Sequence, residues 1–212
     1  MIDMASGGSH RSPFHRALAV PGVVERVALR SRFGFMAFHG GALERQTDRI
    51  AEAAAEAAGA SLYTVTHPGP APAHFPSTSV RGDASPKLRL FLEHVRVVVT
   101  VHGYGRDGMF TSLLLGGSNR ELAKLLGTEL AAALPDYDIV MDLEAIPREL
   151  RGLHPDNPVN VPPEGGVQLE LPPRVRGLGP RWAHWTGDGF VPPTAALVDA
   201  LARVARTWDE AA

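Results

Sequence analysis

The chain has 212 residues, of which 44% are hydrophobic and 21% are charged, and it contains no cysteine. This size and composition fit one globular domain that buries its own core, and the lack of cysteine excludes disulfides and thiolate metal sites. A formal net charge of -2, with no block of Lys or Arg, gives no support for binding nucleic acid or an acidic membrane through bulk electrostatics.

The first 16 residues are small and polar, and they predict a flexible lead-in followed by a single domain over 17–212. They contain no apolar run of the kind found in signal peptides, and no stretch of the chain is apolar enough for a membrane span. We therefore expect a cytoplasmic protein without a membrane partner, and we expect it to be a monomer. The Pro-rich stretches at 66–87 and 150–165 are interpreted as active-site loops rather than linkers.

The first half of the chain predicts a strand–helix–strand unit after an edge strand. The predicted elements are strands at 23–29, 33–38 and 61–65 and a helix at 44–58. The helix is rich in Ala and Glu without Gly or Pro, and Gly59 follows it where a left-handed cap is expected. Two strands joined by a helix pair in parallel.

The second half continues the alternation of strands and helices. The predicted elements are helices at 88–94, 120–134 and 193–208 and strands at 95–101, 109–116, 137–141 and 167–171. Asn119 is placed to cap the helix that follows it. The sequence predicts an α/β fold in three layers, in which a mixed, mostly parallel sheet is flanked by helices.

Two histidines stand where buried strands end. His39 follows the strand at 33–38 and His102 follows the strand at 95–101, each before a glycine. Because α/β sheets bind ligands beyond the carboxyl ends of their strands, the two imidazoles are expected to meet. A turn at Gly40-Gly41 would bring Glu44, at the start of the next helix, back to His39.

Two imidazoles and one carboxylate form a hydrolytic zinc set that leaves a position for water. Mn²⁺ or Fe²⁺ would also accept these ligands. Each residue also has an ordinary interpretation. A histidine after a strand often bonds to a loop carbonyl, and Glu44 could be an ordinary carboxylate in the first turn of a helix, with no role at a metal.

The strand at 166–171 alternates apolar residues with Gln168 and Glu170, so both polar side chains lie on one face. The pattern alone is typical of a half-exposed strand with that face in solvent. If the face lines the cleft instead, Glu170 could serve as the general base for a metal-activated water.

Seven short segments carry a resemblance to a known family. They are His39–Glu44 (HGGALE), Ser61–Tyr63, His74 with Ser77-Thr78, Val101–Tyr104, Leu115–Asn119, Pro155–Asn160 and Gly166–Glu170. In this order, across residues 33–176, they resemble the phage-type poly-γ-glutamate hydrolase family. The segment at 79–86 departs from the family pattern.

The resemblance implies a zinc carboxypeptidase-like fold with Zn²⁺ held by His39, Glu44 and His102 and with Glu170 as the catalytic carboxylate. Candidate substrate-binding residues are His74, Arg81, Asn157, Asn160 and Arg174. Arg suits bidentate carboxylate contacts, although Asn-Pro is also a turn signal and Arg174 could be a surface charge.

The implied activity is zinc-dependent hydrolysis of γ-glutamyl amide bonds, in a polymeric or small-molecule substrate. Because the segment at 79–86 departs from the family, two alternatives stay open. One is a metallopeptidase or N-acyl-amino-acid amidase that acts on small amides. The other is a non-enzymatic binding module on the same scaffold.

Overall fold

A seven-stranded sheet forms the centre of the protein, which a computed structural model describes over residues 12–69 and 73–211. The strands are β1 (Val24–Ala28), β2 (Phe33–Gly41), β3 (Ser61–His67), β4 (Val97–Gly103), β5 (Ser112–Leu115), β6 (Asp138–Val140) and β7 (Gly166–Leu171). The helices are α1 (Pro13–Leu18), α2 (Thr47–Ala58), α3 (Pro86–His94), α4 (Arg120–Ala133) and α5 (Pro192–Ala211).

The strands lie in the order β1-β3-β2-β4-β7-β5-β6. The central strands β3, β2, β4 and β7 run parallel to one another, whereas β1 and β5 are antiparallel to their central neighbours. The predicted α/β fold with a mixed, mostly parallel sheet is confirmed. Parallel pairing brings the carboxyl ends of β2, β4 and β7 to one edge, since each crossover returns the chain to the opposite edge.

Alternate residues of the central strands pack on opposite faces of the sheet. On β4, Val97 and Val99 join the core beneath α2, α4 and α5, whereas Val98 joins the core on the side of α3. Both faces are covered, so these strands are apolar almost throughout and each buried large side chain contributes about 1.5–3 kcal/mol through the hydrophobic effect. By the same alternation His102 lies on the α3 side of the sheet.

The start of the described chain differs from the expected lead-in. Residues 1–11 lie outside the described part, but Pro13–Leu18 forms α1, whose N-cap Ser12 accepts a hydrogen bond from the His15 backbone at 3.1 Å. Phe14 is fully buried, with its ring centroid 5.4 Å from that of Phe75. The prediction of a loose segment is therefore wrong for residues 13–16, because one aromatic side chain anchors the helix to the core.

Several boundaries shift by a few residues for identifiable reasons. β4 begins at Val97 rather than Val95 because the Val95 backbone N–H caps α3 by bonding to Phe91 O at 3.1 Å. β5 is shorter than predicted and starts at Ser112. Asn119 caps α4 as expected, accepting a hydrogen bond from the Leu122 backbone at 2.9 Å. Among the described helices, none combines the length and apolarity needed to cross a bilayer.

Candidate metal centre

The structure brings together the three residues predicted to hold a metal. His39 lies near the end of β2, His102 near the end of the adjacent parallel strand β4, and Glu44 in the loop after β2. Glu44 Oε1 is 2.8 Å from His39 Nδ1, and Glu44 Oε2 is 3.2 Å from His102 Nδ1. One potential ligand atom from each residue falls within 4.8 Å of the others, and all three side chains are buried.

The loop that returns Glu44 to His39 is built differently from the predicted Gly-Gly turn. β2 does not stop at His39 but continues after an irregularity, so that Gly41 pairs with His67 of β3. The chain turns only afterwards, and the Glu44 backbone N–H donates to His39 O at 2.7 Å. Helix α2 then begins at Thr47, three residues later than predicted, because Glu44 belongs to this turn.

Gly41 is nevertheless required by the local geometry. Its φ of 69° is left-handed, and a Cβ there would lie 2.3 Å from the backbone oxygen of His67. Any larger residue would therefore force β2 and β3 apart next to the histidine.

The hydrogen bonds of His39 turn its Nδ1 atom toward Glu44. Its Nε2 lies 3.0 Å from the backbone oxygen of Phe75, which can only accept, so Nε2 carries the proton. In the neutral ring the lone pair of Nδ1 then faces a Glu44 oxygen at 2.8 Å. Two acceptors that face each other need a proton or a metal ion between them, and burial disfavours the extra proton because it lowers the pKa of His39, although the Glu44 carboxylate opposes this. Two imidazole nitrogens and one carboxylate match the donor set of a catalytic zinc site.

The charge of Glu44 is also maintained in the site. Burial would raise the pKa of its carboxyl, but His102, through its charge and its hydrogen bond, holds that pKa well below its usual range. The carboxylate accepts a further hydrogen bond from the Gly103 backbone at 2.9 Å. Burial likewise works against protonation of His102, yet the charge of Glu44 outweighs it and the pKa of His102 is raised. Glu44 and His102 thus stabilise each other's charged forms in the buried centre.

Glu170 lies beside this group on the neighbouring strand. It pairs in register with His102, and both Glu170 and Gln168 are only 4% exposed. The half-exposed strand that the alternation alone favours is therefore wrong, and this face lines the buried centre. Burial raises the pKa of Glu170 to about 7, with Glu44 adding to the effect and His102 and Gln168 opposing it.

A chain of amide hydrogen bonds fixes the position of the Glu170 carboxyl. Gln168 Nε2 donates to Glu170 Oε1 at 2.8 Å, and Asn157 Nδ2 donates to Gln168 Oε1 at 2.7 Å. Asn157 is itself buried, and its own oxygen accepts from the Val159 backbone at 3.3 Å. Its amide is therefore used to orient Gln168, and through it Glu170.

Arg176 is a residue of the centre that the sequence reasoning did not single out as a site residue. The residue is 6% exposed, and its guanidinium donates to the backbone oxygens of Arg45 at 3.0 Å and Tyr104 at 3.1 Å. It thus ties the loop that carries Glu44 to the residue that follows Gly103. A Cβ on Gly103 would lie 2.5 Å from Arg176 Nη1, so glycine is needed there to admit the guanidinium.

Among the five predicted substrate-binding residues, only His74 lies next to the candidate metal-ligand group, which consists of His39, Glu44 and His102. Its Nε2 is 3.9 Å from Glu44 Oε1, its ring centroid is 4.5 Å from that of His39, and 64% of the side chain is exposed. Arg81 lines a separate cavity and pairs with Asp156 at 3.2 Å.

The remaining candidates are engaged elsewhere in the fold. The Asn160 amide donates to the backbone oxygens of Gly152 and His154 and accepts from the Ser118 backbone. Arg174 stacks on Tyr137, with its Cζ 5.5 Å from the ring centroid. No periodicity follows Leu171, so no pattern could have separated Arg174 from the buried Arg176.

The mixed seven-stranded sheet with helices on both faces is an α/β fold of the metallo-carboxypeptidase-like kind. A solved metallo-carboxypeptidase from Burkholderia cenocepacia superposes with a TM-score of 0.51 at 12% identity, over 92% of this chain and 67% of that one. The family model described as poly-gamma-glutamate hydrolase matches residues 19–178. The chain belongs to this family of hydrolases, so the predicted family and the prediction of an enzyme are confirmed.

Two other solved structures are more similar. A bacteriophage poly-gamma-glutamate hydrolase has a TM-score of 0.72 at 22% identity, over 90% of this chain and 91% of that one. A zinc-free form of YNDL has a TM-score of 0.68 at 21% identity, over 86% and 88% of the two chains. At these identities both show a shared fold. No curated protein matches the sequence.

Proposed function

We propose that the protein is a zinc-dependent hydrolase that cleaves γ-glutamyl amide bonds in poly-γ-glutamate or a similar polymer. The observation that carries the proposal is the convergence of His39, Glu44 and His102 within 4.8 Å at the carboxyl edge of the sheet. Membership of the poly-γ-glutamate hydrolase family supports the substrate class.

The metal would be held by Nδ1 of both histidines and by the Glu44 carboxylate. Zinc bound there would acidify a water and polarise the scissile carbonyl. Phe75 O holds the His39 ring with its Nδ1 lone pair turned inward, and the Gly103 backbone steadies the carboxylate. Such fixed second contacts keep metal ligands oriented.

Glu170 would accept the proton of the attacking water and later deliver it to the leaving amide nitrogen. Because Gln168 already donates to Oε1, Oε2 is the oxygen left to exchange protons. A carboxyl with a pKa of about 7 is suited to both steps near neutral pH. The reaction consumes one water and yields an amine and a carboxylate, with the proton passing through Glu170.

His74 would contact the substrate at the mouth of the centre. Its exposed imidazole lies close to the Glu44 carboxylate, and its ring contacts the ring of His39. A donor in that place can hold the substrate carbonyl or an adjacent carboxylate. We propose no direct substrate contact for Asn157, whose amide orients Gln168.

The decisive experiment combines metal analysis with the isosteric Glu170→Gln variant. Removal of a general base is expected to lower kcat on poly-γ-glutamate by about 10²–10⁴-fold while zinc content stays at that of the wild type. Glu121→Gln on the exposed first turn of α4 is the matched control and should retain wild-type rates.

A substrate panel separates this proposal from its alternatives. If the zinc-loaded protein cleaves small N-acyl amino acids and leaves the polymer intact, the protein is an amidase for small amides and the proposed polymer substrate is wrong. Zinc-loaded wild type with no more activity than Glu170→Gln on any amide would leave only a binding module.

A further inference from the structure

A second cavity of about 340 Å³ lies outside the metal-ligand group, between the end of α4 and the start of α5. Four of the residues that line it combine positive charge with aromatic surface: Tyr137, Arg174, Arg181 and Trp182. One acidic residue, Asp136, also borders it. The wall therefore carries a net positive charge in a protein whose formal net charge is -2.

Both arginines are held by aromatic rings rather than by carboxylates. Arg174 Cζ lies 5.5 Å from the Tyr137 ring centroid, and Arg181 Cζ lies 5.5 Å from that of Trp182. Trp182 Nε1 donates to the Arg174 backbone oxygen at 2.9 Å, which fixes the two walls relative to each other. Within the described residues, neither guanidinium has a carboxylate oxygen within 4.0 Å, although six other arginines do: Arg26, Arg81, Arg96, Arg106, Arg151 and Arg203.

A buried nitrogen of the Arg174 side chain also favours an anion in this cavity. Its Nε is shielded from solvent and has no hydrogen-bond partner among the described residues. An unpaired cationic donor of this kind is stabilised by an anion that enters the cavity. The first turn of α5, from Pro192, also lines the cavity, and its helix dipole favours negative charge there.

The cavity opens at the same edge of the sheet as the metal-ligand group. β5 runs antiparallel to β7, with Leu114 opposite Glu170, so Ser112 lies beyond Glu170 toward the carboxyl end of β7. Ser112 pairs with Asp138, the first residue of β6, which directly follows Tyr137. The cavity and Glu170 thus share this edge, with the cavity on the α4 and α5 side of the sheet and Glu170 on the α3 side, so a polymer would have to pass around the edge to reach the two arginines.

We infer that this cavity, which we name the Arg174–Arg181 subsite, binds a side-chain carboxylate of a polyanionic substrate at a distance from the scissile bond. The inference rests on the proposed function and adds that polymers are preferred over short γ-glutamyl compounds. Guanidinium groups pair with carboxylates in bidentate geometry, and the flanking rings limit their freedom before binding. A short substrate at Glu170 does not reach the subsite and gains nothing from it.

The test measures equilibrium binding in the Glu170→Gln background, where turnover does not interfere. Adding Arg174→Gln and Arg181→Gln should weaken the affinity for long poly-γ-glutamate about tenfold, since each lost contact is worth about 0.7 kcal/mol and tenfold is 1.4 kcal/mol. Affinity for a γ-glutamyl dipeptide should change less than twofold. Arg26→Gln with Arg203→Gln removes two exposed charges elsewhere and is the matched control.

Because these measurements need no hydrolysis, they separate the subsite from the proposed activity. An inactive wild type whose polymer affinity still depends on Arg174 and Arg181 would refute the activity and keep the subsite. Equal polymer affinity in the pocket and control variants would overturn the subsite. Inorganic phosphate is the competing probe, and phosphate binding without polymer binding would also overturn it. Arg174→Lys with Arg181→Lys preserves both charges and tests whether the Gln variants lose affinity only through poor folding. The Lys variants should regain part of the polymer affinity, and Lys variants that fold well but bind no better than the Gln variants would overturn the subsite.

Discussion

Replacing Arg176 by Leu should loosen the loops that hold the candidate metal ligands. The substitution removes two charge-assisted hydrogen bonds, to the backbone oxygens of Arg45 and Tyr104, that are made by a residue only 6% exposed. Each such bond is worth about 1.5–3 kcal/mol, and relief from burying the charge offsets part of the sum, so the free energy of unfolding should fall by about 3 kcal/mol. For a chain of this length that is about 6–12 °C in Tm.

The same variant should bind zinc about 10–100-fold more weakly, because groups that orient metal ligands typically contribute that much. Urea unfolding of the zinc-free protein gives the stability, and competition with a chromophoric chelator gives the zinc affinity. Arg174→Leu, two positions earlier and only half-buried, is the matched control and should cost less than about 1 kcal/mol. Wild-type stability together with a zinc affinity within twofold of wild type in Arg176→Leu would refute the reasoning.

Three further predictions concern the metal, one turn and one helix cap. Zinc at 100 times its Kd should stabilise the protein by about 2.7 kcal/mol, seen as a Tm rise that EDTA reverses; an equal rise in His39→Ala would contradict the proposed ligand set. Gly41→Ala, with its blocked Cβ position and φ of 69°, should cost more than about 3 kcal/mol in urea unfolding, whereas Gly59→Ala, with a φ of 67° and open space around it, should cost about 1 kcal/mol. Similar losses at both glycines would show that steric contact at Gly41 is unimportant. Asn119→Ala should cost about 1 kcal/mol by removing the side-chain cap of α4, and an unchanged urea midpoint would argue against the cap.

The grouping of His39 and His102 could be predicted from sequence because both residues stand at strand ends. His39 and His102 each follow a run of apolar residues, and parallel strands bring such positions to one edge of a sheet. The position of Glu44 was less accessible. Glutamate is a good helix former, so the sequence predicted that Glu44 begins the helix. Its backbone N–H instead donates to His39 O, which places Glu44 in the loop before α2.

The surroundings of Glu170 could not be predicted because they depend on distant chain segments. An alternating strand looks the same whether its polar face meets water or a loop that folds over it. Here Asn157 and the Leu150 backbone oxygen both bond to Gln168 and cover that face. Phe14 is a similar case, because a single aromatic in a polar segment gives no sign that it will pack on Phe75.

The strand order has a consequence for how the molecule is assembled. β7 is the last strand along the chain, yet it lies between β4 and β5 in the finished sheet. A nascent chain that ends before Gly166 lacks the strand that joins β4 to β5. Because such long-range pairing forms slowly, the insertion of β7 should be a late step of refolding.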